Sequence, residues 1–298
     1  MENIIRLDDK TIQKIKKNKL IYSIINFERA DYITQDKLNR RYMKALNLNN
    51  GNLSESEMYD NAKKYLEETI EKVRIIRDLN QPIIDKTVIE MLTDVSKIFT
   101  PNDDMKLKCA RIYQYITKSI KYSEDYFNYD IRIPFADDFS FECYNGIPMG
   151  KNFIDTLVTK EGTSLEICTL MQALGNKFGV NIRSIPAMKD EGIYYIVSYE
   201  NNTSYLDPTG AILNNDEYKY PFITKQDLLK KGIIIDTELE MKPEGERLDV
   251  KIINASNVEK AVSRERTYLD SKITTVNEEE LDKIIEENQE EKQNKKPL

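Results

Sequence analysis

The residues best placed for acyl chemistry are Ser164, which follows Gly162-Thr163 at the start of a helix, and Asp207, which opens the run Asp207-Pro208-Thr209-Gly210. A nucleophile in the first turn of a helix is favoured by the dipole of the aligned peptides. A thiol there, with an ordinary pKa of about 8.5, can be drawn below neutrality. A serine hydroxyl is too weak an acid for that help to suffice, so it needs a positioned base. The chain contains no histidine, which excludes every mechanism that takes an imidazole base, ligand or proton shuttle from within it. The aromatic pair Tyr194-Tyr195 lies between the two candidates in sequence, and a phenol is no base at neutral pH. Each residue also has a plain structural reading. Ser164 suits a first helical turn beside a capping threonine, Asp207 suits a turn before proline, and Tyr194 and Tyr195 suit a strand. Cys168, four residues after Ser164, sits about 6 Å further along the helix, away from the electropositive end, and reads as a small buried apolar residue.

Other chemical signals fail on spacing. Cys109, Cys143 and Cys168 form an odd set with no C-x-x-C pair, so neither a disulfide framework nor a zinc site is expected. Gly150-Lys151 lacks the earlier glycine and the following Ser or Thr of a phosphate-binding loop. The pairs Asp103-Asp104 and Asp137-Asp138 lack the alternating ligands of a calcium loop. No Ser-x-x-Lys occurs, although Lys160 or Lys189 could approach Ser164 in space. No metal or cofactor is expected.

The elements that must position these residues follow from capping and periodicity. Residues 1 to about 100 read as helical. Ser54-x-x-Glu57 is a capping box, and it opens a long helix that the sequence ends at Gln81-Pro82, with a second helix from Ile83 to about Phe99. Thr100-Pro101-Asn102-Asp103 starts another helix, which leads into Ile120-Lys121-Tyr122. Residues 126–151 are rich in aromatics, Asp, Pro and Gly and read as an irregular loop. Thr163 then caps the next helix with Glu166 at its third position, and Ile167, Leu170, Met171, Leu174 and Phe178 make a buried stripe. After Gly179 the period changes to two, which predicts strands over Asn181 to Ala187, Ile193 to Tyr199 and Ser204 to Leu206, then a helix over Lys225 to Lys231 and a strand at Ile233 to Ile235.

This order resembles the transglutaminase-like domain, a papain-like fold, over residues 105–210. The family's pattern is a helix ending in Ile-x-Tyr, a Gly-x-Cys at a helix start, an exit through Gly-Ile or Gly-Val into a strand, a strand bearing His, and a strand ending in Asp-Pro-Thr. Here the matching residues are Ile120-Lys121-Tyr122, Gly162-Thr163-Ser164, Gly179-Val180, Ile193-Tyr194-Tyr195-Ile196-Val197-Ser198-Tyr199 and Asp207-Pro208-Thr209. The resemblance therefore puts Ser164 at the cysteine and Tyr194 at the histidine, with Tyr195 there instead if the register slips by one. Only Asp207 matches a triad member in kind. The Cys-His-Asp mechanism that the resemblance implies should be lost.

The expected fold is α+β, with a helical N-terminal region (1–100), a transglutaminase-like core with an antiparallel sheet packed on the nucleophile-position helix (101–236), and a charged C-terminal extension, partly helical or disordered (237–298). The expected function is that of an inactive protein that binds a peptide or protein partner. Tyr126, Phe127 and Tyr129 of the aromatic loop, with Tyr195, are its candidate contacts, because aromatic side chains bring a large apolar area with few rotamers to freeze. Two rivals stand beside it: a hydrolase or acyltransferase using Ser164 with a base other than histidine from this chain, and an assembly scaffold acting through the N-terminal helices. A net charge of -7 with 32% charged residues gives no general footprint for nucleic acid. Apolar runs such as Leu20 to Ile25 fall far short of the roughly 20 residues of a membrane span. Residues 1–10 show no basic stretch followed by an apolar one, which makes the cytoplasm the expected location.

Overall fold

The computed structural model describes residues 2–29, 53–123, 142–144, 147–149, 153–190, 192–200, 204–215, 221–235 and 256–294. In chain order the elements begin with β1 (Ile4–Leu7), α1 (Asp9–Arg29), α2 (Glu55–Ser96), α3 (Met105–Ser119) and β2 (Lys121–Tyr122). Next come β3 (Glu142–Tyr144), β4 (Ile147–Met149), α4 (Phe153–Thr159), β5 (Glu161–Gly162), α5 (Ser164–Lys177), β6 (Ile182–Lys189), β7 (Gly192–Tyr199) and β8 (Ser204–Leu206). The last are α6 (Pro208–Asn214), α7 (Lys225–Lys230), β9 (Ile233–Ile235), α8 (Ser256–Asp270), β10 (Ile273–Val276) and α9 (Glu278–Asn294). Helix and strand are mixed, and the largest sheet is antiparallel. The segment Tyr126, Phe127 and Tyr129 lies outside the described residues.

The described residues fall into two compact units, one drawn from Met1–Ile83, Phe127–Gly150 and Ile273–Leu298, the other from Ile84–Tyr126 and Lys151–Lys272. These units do not follow the linear division at 100 and 236. The reason is a long-range pairing: β1 runs parallel to β10, with Ile4 opposite Ile273 and Leu7 opposite Val276. Leu281 and Ile285 of α9 join Ile12 and Ile15 of α1 and Leu66, Val73 and Ile76 of α2 in one apolar core. The charged C-terminal stretch is thus a capped helix with a buried stripe. Asn277 and Glu280 satisfy each other's amides at its start (2.9 and 3.0 Å).

Helix α2 opens on the expected capping box, where the Glu57 carboxylate accepts from the Ser54 N–H and hydroxyl, both at 2.7 Å. It does not stop at Pro82, as the sequence suggests, but runs through it. Proline removes one ladder bond and costs about 3 kcal/mol in a helix interior. Burial of Ile76 and Asn80 before it and of Ile84, Thr87 and Met91 after it, each at most 1% exposed, keeps the helix on both sides and offsets that cost. The next helix, α3, begins at Met105, just after the expected start over Thr100 to Asp103. Asp103 closes a turn with Thr100, and Asp104 caps the helix by accepting from the Leu107 N–H at 2.7 Å.

The sheet of the second unit has the order β8-β7-β6-β9, antiparallel throughout. Ile185, Ala187, Tyr194, Ile196, Ile233 and Ile235 share its buried core with Leu228 of α7. Helix α5 packs against β6 and β7. It ends in a Schellman motif: the Val180 N–H donates to the Gly175 carbonyl at 2.8 Å, and Gly179 takes a φ of +77° that a side chain would oppose.

Candidate functional site

Thr163 and Glu166 set the start of α5. The Glu166 carboxylate accepts from the Thr163 N–H (2.8 Å) and from its hydroxyl, and the Ile167 N–H donates to the Thr163 carbonyl (3.0 Å). Ser164 is thereby held as the first helical residue, 4% exposed. One turn on, the Cys168 side chain is fully buried, and its thiol donates to the Tyr195 carbonyl at 3.3 Å. Burial, and then the Asp207 charge, push this thiol well above its ordinary pKa. A thiol so placed favours its neutral form and packs as a small apolar side chain.

Tyr194 and Asp207 meet directly. The phenol of Tyr194 on β7 donates to Asp207 Oδ1 at 2.7 Å, and Asp207 leaves the end of the neighbouring strand β8. Its neighbour Tyr195 is half-buried and offers its carbonyl to Cys168. Asp207 also caps α6, accepting from the Gly210 N–H at 2.8 Å. A Cβ at Gly210 would lie 2.1 Å from Asp207 Oδ2, so only glycine lets the carboxylate sit there. Tyr113 of α3 adds a hydrogen bond from its hydroxyl to the Asp207 carbonyl, at 3.3 Å. Gly210 and Tyr113 escape sequence reasoning. A glycine after Asp-Pro-Thr reads as turn chemistry, and a hydroxyl bonded to a distant carbonyl leaves no spacing signal.

The pair is closed, with Tyr194 7% and Asp207 3% exposed. Burial first, and then the Asp207 charge and hydrogen bond, hold the Tyr194 phenol above its ordinary pKa. Its proton is committed to Asp207, so it cannot receive one from a hydroxyl nucleophile. Ser164 is not among the described hydrogen-bond partners of either residue. The Lys160 ammonium donates to Tyr115 and Glu265, each at 3.1 Å, and Lys189 Nζ lies 5.1 Å from the Tyr194 ring centre.

A surface cavity of about 670 Å³ lies elsewhere in this unit, lined by Thr117, Lys118, Asn215, Glu259 and Arg266 among others, and no candidate residue borders it. Among the described residues no cluster of acidic or cysteine side chains suits a metal ion, and no helix is long and apolar enough to cross a membrane. Comparisons with protein-family models, with curated proteins and with solved structures give no match.

Proposed function

We propose that the chain is a transglutaminase-like protein with a papain-like core that has lost its catalytic residues, and that it binds a peptide or protein partner without cleaving it. One observation carries this reading: the Tyr194 hydroxyl donates to the buried Asp207 carboxylate at 2.7 Å, where the resemblance calls for an imidazole held by its aspartate. In a working triad the aspartate orients a base that accepts the nucleophile's proton. Here it holds a phenol whose only proton points at the carboxylate, so the group at the base position does not take a proton from the Ser164 hydroxyl. The order of α5, β6, β7 and β8 supports the same reading, since it follows the element order of the resemblance.

The binding half rests on sequence, through the aromatic run containing Tyr126, Phe127 and Tyr129. Its test is capture of extended peptides from a photo-crosslinkable library by the purified full chain. Capture should be unchanged by Ser164→Ala and reduced at least about tenfold by the triple change Tyr126→Ala, Phe127→Ala and Tyr129→Ala, in a chain shown by circular dichroism to remain folded. Equal capture by the triple variant would remove the aromatic run from the account. Peptide products released by the wild type alone would replace binding with catalysis.

A further inference from the structure

Away from the candidate pair, three polar side chains far apart in sequence converge where water is excluded. Glu265 of α8 is 1% exposed and Tyr115 of α3 is fully buried. The Tyr115 hydroxyl lies 2.9 and 2.7 Å from the two Glu265 carboxylate oxygens. Lys160 Nζ donates to Glu265 Oε2 and to the Tyr115 oxygen, each at 3.1 Å, from a side chain 14% exposed. Asp94 of α2 and Arg266 of α8 add their charges around the cluster.

The backbone of Lys160 is the telling part. Its φ is +61°, a left-handed conformation that favours glycine and disfavours a lysine unless the side chain is held. Lys160 ends α4 by donating its N–H to the Thr156 carbonyl at 3.0 Å, and its carbonyl accepts from the Lys121 N–H at 2.8 Å. Two residues on, the Gly162 carbonyl accepts from the Ser123 N–H at 3.0 Å. There is no slack between these points and Ser164, because a Cβ at Gly162 would lie 2.9 Å from Thr156 and 3.2 Å from Glu166.

We propose that α8 is a clamp on the start of α5: its Glu265, through Lys160 and the buried Tyr115, holds the left-handed turn that presents Thr163 and Ser164. Helix α8 then sets the order of the β5 turn, and its release loosens that turn before the sheet is disturbed. The clamp does not depend on whether Ser164 has any chemistry. A second ion pair on α8 links it to α3, Lys118 to Glu259 at 2.8 Å, but the glutamate side chain is 62% exposed and Lys160 is not a member of the pair.

Native-state hydrogen exchange on the full chain separates the two contacts. Glu265→Gln should raise exchange at the Lys121, Ser123 and Thr163 amides by about tenfold, whereas Lys118→Ala should leave them within about twofold of wild type. In a Lys160→Gly background, where glycine suits the backbone and the side-chain link is gone, Glu265→Gln should change those amides by less than about twofold. If Glu265→Gln does not fold, Tyr115→Phe carries the test, with a rise of about threefold expected at the same amides. A response confined to the amides of α8, or one that persists undiminished in the Lys160→Gly background, would overturn the proposal.

Discussion

The two units are held together by different means. In the unit that contains α1, β1, β10 and α9, the core is apolar and the ion pairs between elements lie at its surface. Lys14–Glu278 has side chains 49% and 40% exposed, and Lys72–Asp282 has 39% and 47%. In the unit that contains α5 and the four-stranded sheet, ionic groups lie inside. Asp103 is 3% exposed against Arg111 at 10%, and Glu265 is 1% exposed against Lys160 at 14%, while Asp207 is closed in by Tyr194 and Gly210. Exposed pairs contribute about 0–1 kcal/mol. A buried polar group stripped of its partner costs several times that. The first unit should therefore tolerate loss of a charge, and the second should not.

Asp207→Ala puts the comparison under the greatest strain. It removes the cap of α6 and leaves the Tyr194 hydroxyl buried without its carboxylate, for a loss of about 3 kcal/mol. Urea unfolding followed by far-ultraviolet circular dichroism measures it, the chain having no tryptophan. Asn80→Ala comes next and sharpens the contrast, because it is a buried polar contact beside the apolar core of the first unit. The Asn80 amide mimics a neighbouring strand, accepting from the Ile5 N–H at 2.8 Å and donating to the Ile5 carbonyl at 2.9 Å. Its loss should cost about 2 kcal/mol; a cost under about 0.5 kcal/mol would show that burial is not what separates strong contacts from weak ones.

The third prediction concerns pH. Burial by itself would raise the Asp103 carboxyl, but the Thr100 N–H, the Arg111 guanidinium and the Thr100 hydroxyl together hold it below its ordinary value. A carboxyl whose folded pKa is depressed stabilises the fold above its unfolded pKa of about 4 and loses that contribution as pH falls through the folded value. The urea midpoint should thus fall as pH drops below about 4, and Asp103→Asn should flatten that part of the curve. Smallest of all, Lys72→Ala should shift stability by less than about 0.5 kcal/mol, its partner Asp282 being half exposed.

Local signals in the sequence carried the local structure. The boxes Ser54-x-x-Glu57 and Thr163-x-x-Glu166 mark true helix starts, and alternation marks β6 and β7, because both depend on residues within a turn or two of each other. The juxtaposition of Tyr194 and Asp207 was expected from the element order of the resemblance, which sets them on neighbouring strands. Pairing of β1 with β10 was not, because its partners lie about 270 positions apart and neither short strand alternates clearly. Nor was the course of α2 through Pro82, where tertiary burial overrides a strong local stop. Glu265 reads in sequence as one more charge in a solvated helix, and only its position opposite Tyr115 distinguishes it from Glu259.

The central claim is that this unit carries the frame of a nucleophile site without the nucleophile's chemistry. Labelling of the folded chain with a fluorophosphonate and with iodoacetamide, mapped by peptide mass, tests it without knowledge of any substrate. Ser164 and Cys168 should both remain unlabelled in the folded protein, and Cys168 should react once the chain is unfolded. Stoichiometric fluorophosphonate on Ser164 of the folded chain, absent from Ser164→Ala, would contradict the account and establish an activated serine.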